Sequence, residues 1–185
     1  MFWFVKNFIS VERAEQLAND LDDRVANGDY RVDIWCPGSQ SFDQPFNAFH
    51  NEILEQTSKV VGKKLDVTYN YARVYWPGDR LNPHTDREAC EWSISLNLRN
   101  NEHPWPFCVE YNLNKQCFDM EPGDAVIYNG PGVKHWRDPL ESDCVYQAFF
   151  HFVDLDGDFK DHAKDRIVRS KKWVGTEKGN MKVWN

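Results

Sequence analysis

The feature that most constrains the fold is a change of hydrophobic rhythm near residue 63. From Leu65 to Trp76 the side chains alternate in character, which is typical of a β-strand, whose neighbouring residues point to opposite faces. Segments of the same kind follow, separated by turn residues, at 91–99, 107–113, 116–120, 124–129, 134–137 and 144–153. Seven such strands predict a mainly β fold, a sandwich or barrel of antiparallel sheets.

Two amphipathic helices are predicted before these strands. A short apolar strand, 2–9, leads to Ser10, a good helix N-cap, and residues 11–25 then carry an apolar stripe. A short strand at 32–35 and a second helix at 46–61, stopped by Gly62, complete this part. The predicted division is an N-terminal strand and helices (1–62) and a β core (63–153), together one domain (1–153). A polar C-terminal extension (154–185) follows, with a short helix near 161–169.

Composition narrows the class of protein. The chain has 185 residues, and its aromatic share of 15% favours strands. Its formal net charge is -7, so nucleic acid is not an expected partner. No apolar run reaches the roughly 18 residues of a membrane span, and the N-terminus lacks the pattern of a signal peptide. Five cysteines without Cys-x-x-Cys spacing predict reduced thiols in a cytoplasmic protein.

The candidate chemistry is a metal site made by His84, Asp86 and His135. In His84-Thr85-Asp86 the two ligands lie two residues apart and point the same way on extended chain. His135 opens a later strand, directly after a Gly-rich turn. Two imidazoles and one carboxylate are the ligand set of non-haem Fe(II) oxygenases, and they leave coordination positions open. Zinc is the competing metal, but its structural sites are usually closed by cysteine or a fourth ligand.

Six motifs in order resemble the Fe(II)/2-oxoglutarate-dependent oxygenases, in particular their prolyl-hydroxylase-like branch. They are the helix after the first strand (10–25), the Tyr-Ala-Arg-Val-Tyr-Trp-Pro-Gly run (71–78), His84-Thr85-Asp86, the Ser-Ile-Ser-Leu-Asn-Leu strand (93–98), the Pro-Gly-Asp-Ala turn and its strand (122–128), and His135 with the closing strand (146–152). The resemblance implies a double-stranded β-helix (jelly-roll) core with the N-terminal helices packed on one sheet.

The resemblance also implies a set of roles. His84, Asp86 and His135 would hold Fe(II), with 2-oxoglutarate and O2 as co-substrates, succinate and CO2 as products, and ascorbate as a stimulant. The substrate would be an aminoacyl residue such as prolyl in a protein, or a small metabolite. The alternative is a cupin-like jelly roll that binds a metal or ligand without oxygenase turnover. Neither the oligomeric state nor the substrate follows from the sequence.

The anchor for the distal carboxylate of 2-oxoglutarate departs from the family pattern. Many members place an Arg or Lys nine to twelve residues beyond the distal histidine, but residues 144–147 contain no cation. A carboxylate deep in a barrel needs a charged partner. Arg137, on the same strand face as His135, is the preferred substitute, and Arg99, on the polar face of strand 91–99, is the second. Tyr75 and Gln147 are expected as supporting donors.

Overall fold

Two antiparallel β-sheets form the framework of the computed structural model, which describes residues 1–33, 36, 38–100, 103–141, 143–163 and 165. The strands are β1 (Phe2–Val5), β2 (Arg31–Val32), β3 (Gln40–Asp43), β4 (Leu65–Tyr75), β5 (Leu81–His84), β6 (Trp92–Asn100), β7 (Phe107–Tyr111), β8 (Asn114–Phe118), β9 (Ala125–Tyr128), β10 (Lys134–Arg137) and β11 (Val145–Asp154). The helices are α1 (Val11–Ala26), α2 (Asn47–Glu52) and α3 (Leu54–Val61).

The larger sheet has the strand order β1-β9-β6-β11-β4-β3-β2, and the smaller one β5-β10-β7-β8. Contacts between their inner faces hold the two sheets together. The Phe107 ring of β7 packs against Tyr128 of β9, and the Arg137 guanidinium of β10 donates to Gln147 of β11. The arrangement is a double-stranded β-helix, so the predicted fold class is confirmed.

The helices cover the outer face of the larger sheet. In α1, the buried residues Ala14, Leu17, Ala18 and Leu21 lie on one face, and Ser10 caps the helix by accepting a hydrogen bond from the Arg13 amide. This face joins the main hydrophobic core with side chains from β6 and β11. Burial of the apolar stripe therefore explains why the helices pack on this sheet, as predicted.

Most of the predicted strands are present, and the clearest differences are at β5, β3 and residues 32–35. The predicted strand 134–137 has the same bounds as β10. Strand β5 was not predicted, because Asn82 and Pro83 within it are turn formers. Proline is tolerated there because β5 is an edge strand that pairs with β10 alone. β3 was also missed, and the predicted strand 32–35 is only Arg31–Val32 in the described residues, since residues 34 and 35 lie outside them.

The second predicted helix, 46–61, is two helices, α2 and α3, that meet at Ile53. Gly62 ends α3 in the left-handed conformation (φ 74°), as expected of a C-cap glycine. Of the C-terminal helix predicted near 161–169, the described residues show a single 3-10 turn, Lys160–His162, and residues 164 and 166–169 lie outside them. The division at residue 153 stays a prediction.

The expectation of reduced thiols is wrong for two of the cysteines. Cys108 and Cys117 form a disulfide across the β7–β8 hairpin, while Cys36, Cys90 and Cys144 are free thiols. The spacing of nine residues gave no sign of this pairing, because directly opposed positions on a hairpin are set by its register. Among the described residues, no helix is long and apolar enough to cross a membrane.

Candidate functional site

The pairing of β5 with β10 brings the two metal-candidate histidines together. His84, the last residue of β5, is the direct register partner of His135 on β10, and their ring centroids are 4.2 Å apart. Asp86 follows in the loop after β5, where its amide donates to the Gly130 carbonyl at 3.0 Å. The predicted triad is thus assembled from a strand pair and one loop that is tied to the turn before β10.

The three side chains converge on one point through specific atoms. Oδ1 of Asp86 is 3.5 Å from Nε2 of His84 and 3.6 Å from Nε2 of His135. Nδ1 of His84 is 2.8 Å from the Asn82 carbonyl, and Nδ1 of His135 is 3.0 Å from the Val133 carbonyl. A carbonyl accepts, so each neutral ring carries its proton on Nδ1. In this neutral form the Nε2 lone pairs are available to a metal, whereas a protonated ring would donate from Nε2 to the Asp86 oxygen.

A relay of hydrogen bonds holds the other oxygen of Asp86. Ser93 Oγ is 3.1 Å from Oδ2 of Asp86 and 2.8 Å from Nδ1 of His151. When the His151 Nδ1–H donates to Ser93, the single hydroxyl proton of Ser93 is shared between Oδ2 of Asp86 and the Cys90 carbonyl, which is also 3.1 Å away. Oδ2 is thus occupied and Oδ1 faces the histidines, an outer-shell arrangement that orients metal-ligating carboxylates. No role was predicted for Ser93 or His151. The signal that could have indicated them is the alternation of polar side chains along one face of their strands.

The charges of the triad suit metal binding at neutral pH. Burial would raise the pKa of Asp86, but the hydrogen bond with His84 and the nearby imidazoles outweigh it and lower the pKa to about 2. Burial lowers the pKa of His135, which is 2% exposed. For His84, burial alone would lower the pKa, but its bonds to Asp86 and the Asn82 carbonyl raise it. The site offers an ionised carboxylate beside the neutral ring of His135.

The donor set fits a divalent metal. Ligand atoms about 2.1 Å from a metal and at right angles to each other lie about 3.0 Å apart, so the observed 3.5 and 3.6 Å need to close only slightly. All three ligand atoms lie within 4.8 Å of one another. Two nitrogens and one oxygen on one side of an ion leave the opposite side open, which is the facial arrangement of non-haem iron sites.

Gly130 is required by the close packing behind Asp86. A Cβ at this position would stand 2.9 Å from Oδ2 of Asp86 and would overlap the Cys90 carbonyl. Any side chain here would push the carboxylate away from the histidines. Residues 129–132 were predicted only as a turn. The need for glycine at 130 comes from its contact with Asp86, which lies 44 positions earlier in the chain.

Arg137 is fully buried on the same face of β10 as His135. The ring of Phe107 contacts both side chains, with its centroid 5.6 Å from that of the His135 ring and 5.0 Å from the Arg137 guanidinium carbon. The guanidinium donates to the Trp105 carbonyl and, at 3.0 Å, to Oε1 of Gln147. Its Nε has no hydrogen-bond partner, and among the described residues no carboxylate pairs with it. Burial lowers the pKa of Arg137 to about 10.

The two expected supporting donors lie beside this guanidinium. Gln147 contacts it directly, and Nε2 of Gln147 donates to Asn97 at 2.9 Å. Tyr75 is fully buried, and its ring packs edge-on against Trp105 with the centroids 4.9 Å apart. Trp105 also lines a cavity of about 580 Å³ between the loops at 103–106 and 138–141, which contains none of the three metal candidates. The structure thus brings Arg137, Tyr75 and Gln147 together in one polar cluster.

Arg99 does not reach this cluster, and its expected position on the cavity wall is wrong. Along β6 and β11, Asn97 pairs with Gln147 but Arg99 pairs with Tyr146, so a β-bulge inserts one residue at Leu98. The extra residue turns Arg99 to the helix-covered face, where it binds Glu15, Asn19 and Asp22 of α1. The alternation of the sequence could not reveal this bulge.

Comparisons with solved structures place this site in a known fold. A prolyl-4-hydroxylase from Pseudomonas putida matches with a TM-score of 0.65 and 13% identity, covering 81% of this chain and 91% of that chain. HygX from Streptomyces hygroscopicus, with nickel and 2-oxoglutarate bound, matches with a TM-score of 0.67 and 12% identity over 84% and 83%. The α-ketoglutarate-dependent epimerase SnoN of nogalamycin biosynthesis matches with a TM-score of 0.67 and 10% identity over 83% and 77%.

At the level of sequence, no protein-family model matches the chain, and no curated protein matches it significantly. The likeness is therefore one of fold, and the fold is shared by enzymes that catalyse different reactions. The chain has the double-stranded β-helix fold of the Fe(II)/2-oxoglutarate oxygenases, with prolyl hydroxylases among its structural neighbours.

Proposed function

We propose that this protein is an Fe(II)- and 2-oxoglutarate-dependent oxygenase that hydroxylates its substrate. The observation that carries the proposal is the position of Arg137, a fully buried guanidinium without a carboxylate partner among the described residues, on the same strand face as the metal candidate His135. A buried cation of this kind is costly unless an anion joins it. A dicarboxylate could bind the open side of the metal with one end and the Arg137 guanidinium with the other.

His84, Asp86 and His135 would hold the iron, and Arg137 would receive the distal carboxylate of 2-oxoglutarate. Two residues of β-strand separate His135 from Arg137 by about 7 Å, a span that a five-carbon dicarboxylate can bridge. Gln147, which contacts Arg137 directly, and Tyr75 would orient this carboxylate. Arg99 is not part of the proposal, since Glu15 and Asp22 already pair with it.

Bound iron supplies the activation of O2, and the overall reaction inserts one oxygen atom into a substrate C–H bond and the other into succinate, with loss of CO2. The contribution of the chain is to position both co-substrates and to exclude water. Aromatic side chains line the wall beside Asp86: the rings of Tyr71 and Phe149 stack at 4.5 Å, and Tyr69 packs on His151 at 4.6 Å. Such a wall limits the access of water to the reacting centre.

The substrate in this proposal is an aminoacyl residue, such as prolyl, or a small metabolite. The cupin-like alternative drew its support from the missing cation beyond residue 144, and the buried guanidinium of Arg137 supplies a cation in its place. The direct test is anaerobic titration of the Fe(II)-loaded protein with 2-oxoglutarate, followed by the weak visible charge-transfer band of the chelate.

We expect the band to form in the wild type and to be lost in Asp86→Ala, which should also lose stoichiometric Fe(II) binding. Iron binding without the band would favour a metal-binding jelly roll without turnover. Tight Fe(II) binding retained by both His84→Ala and Asp86→Ala would refute the metal site itself. Release of succinate and CO2 on admission of O2 then reports turnover.

A further inference from the structure

A second buried guanidinium lies close to the polar cluster of Arg137, Tyr75 and Gln147. Arg73 is on β4, two residues before Tyr75, so both side chains project from the same face of the strand. The Arg73 side chain is 9% exposed. In the sheet it lies directly opposite Gln147, the side chain that Arg137 also contacts. Two buried cations therefore neighbour Gln147.

The contacts of Arg73 leave part of its guanidinium unused. One terminal nitrogen donates to the Tyr75 hydroxyl at 3.2 Å, and the other pairs with the Asp33 carboxylate. The guanidinium carbon lies 5.2 Å from the centre of the Tyr71 ring. Nε is buried and has no hydrogen-bond partner within the described part of the chain. A guanidinium has five donors in a planar fork, so Arg73 can bind a carboxylate through two of them.

The aromatic wall beside Asp86 connects Arg73 with the metal site. The Tyr71 ring that the Arg73 guanidinium faces stacks on His151 with the centroids 5.6 Å apart, and His151 is hydrogen-bonded to Ser93, which bonds Asp86. Of the two histidines, His84 is the exposed one: its side chain is 38% exposed, against 2% for His135. The open approach to the metal site is therefore beside His84, and Arg137 lies two residues beyond the buried His135.

Asp33 reaches Arg73 from the edge of the larger sheet. It directly follows β2, the last strand in the order of that sheet, which is exposed and held to β3 by the pairs Arg31–Ser41 and Val32–Gln40. The Asp33 carboxylate thus approaches Arg73 from the edge of the sheet. Replacing it by the carboxylate of a ligand keeps the guanidinium neutralised, so the exchange avoids the cost of a bare buried charge.

We propose that Arg73 recognises a carboxylate of the substrate, which takes the place of the Asp33 carboxylate. The substrate class is then a small free acid, such as an amino acid, rather than a residue within a peptide chain, whose backbone offers amides in place of the carboxylate. The inference rests on the proposed function, with Arg137 reserved for 2-oxoglutarate. Two cations that neighbour the same glutamine then serve two different acids.

The test measures binding without turnover, by calorimetry on anaerobic protein loaded with Mn(II) and 2-oxoglutarate. The probes are the twenty free amino acids and their carboxamides, which differ only in the carboxylate. We expect at least one acid to bind at least about 30-fold more tightly than its amide, since a lost charge-assisted pair costs this much or more. Arg73→Gln should abolish the difference, and Arg24→Gln, an exposed helix position, should keep it.

Asp33→Asn separates recognition from a structural role of the ion pair. Because the variant removes the competing carboxylate, we expect it to bind the acid about tenfold more tightly than the wild type does. A structural pin would give the opposite result, with lower stability and no gain in affinity. If Arg73→Gln does not fold, the test rests on Asp33→Asn and on Arg73→Lys. We expect Arg73→Lys to bind the acid more weakly than the wild type does.

Parallel titration with 2-oxoglutarate distinguishes the two proposals. If the wild type fails to bind 2-oxoglutarate, the proposed function fails. If it binds 2-oxoglutarate but no acid, or acids and amides equally well, the assignment of Arg73 is overturned and the proposed function stands. Loss of 2-oxoglutarate binding in Arg73→Gln would also overturn it, because Arg73 would then serve the co-substrate through Tyr75.

Discussion

Replacing Arg137 with methionine should make the metal-free protein at least as stable as the wild type while removing 2-oxoglutarate binding. Burial lowers the pKa of this guanidinium from 12.5 to about 10. At about 1.4 kcal/mol per pKa unit, the buried charge costs the folded protein roughly 3 kcal/mol. Methionine has a similar length and removes this cost. The Trp105 carbonyl, however, loses its donor, a loss of about 1–3 kcal/mol, whereas Oε1 of Gln147 keeps the Ser95 hydroxyl as a donor.

The free energy of unfolding of Arg137→Met should therefore equal or exceed that of the wild type, by up to about 2 kcal/mol, in urea titrations without metal or co-substrate. Its affinity for 2-oxoglutarate should fall at least about 100-fold in the anaerobic charge-transfer titration, because a buried charge pair is lost. Arg99→Met is the matched control: it should lower stability by loss of its contacts with α1 and leave 2-oxoglutarate binding unchanged. A destabilised Arg137→Met that still binds 2-oxoglutarate would refute the reasoning.

Two other substitutions test the surroundings of the site, and a third tests a buried histidine of α2. His151→Phe removes the donor that fixes Ser93 against Asp86, so metal affinity in a Co(II) competition titration should fall about 10- to 100-fold; an unchanged affinity would contradict the relay. Gly130→Ala should lower the free energy of unfolding by about 1–3 kcal/mol and weaken Co(II) binding, because its Cβ would press on Asp86; wild-type values of both would show that the turn can adapt. Burial lowers the pKa of His50 to about 4, below its unfolded value near 6.5, so unfolding takes up a proton between these values. This group should not affect the free energy of unfolding above pH 6.5, and it should lower that free energy by up to about 3 kcal/mol as the pH drops to 4. In urea titrations at a series of pH values, His50→Leu should remove this part of the pH dependence.

The sequence was most informative where a structural signal is local. The alternation of strand 134–137, the cap at Ser10 and the left-handed glycine at 62 each depend on neighbouring residues, and each agrees with the structure. The grouping of His84, Asp86 and His135 also follows from local strand and turn patterns, combined with a fold in which strand ends meet.

What the sequence could not supply depends on pairing between distant segments. Arg99 changes face because of a bulge that exists only in the register between β6 and β11. Strand β5 contains Pro83 and is a strand only because β10 offers it an edge. The link from Ser93 to His151 spans 58 positions and joins two strands whose adjacency is a property of the fold. In each case the local pattern is compatible with more than one tertiary partner.

The register of His84 against His135 gives the metal site a mechanical role. Each ring is held by a carbonyl two residues earlier on its own chain segment, so neither ring depends on the other strand for its orientation. The smaller sheet ends at β5, whose outer side has no neighbouring strand among the described residues. An ion bound between the two histidines would link this edge strand to β10. Metal binding would then stabilise the edge of the smaller sheet against local unfolding and against pairing with strands of other chains.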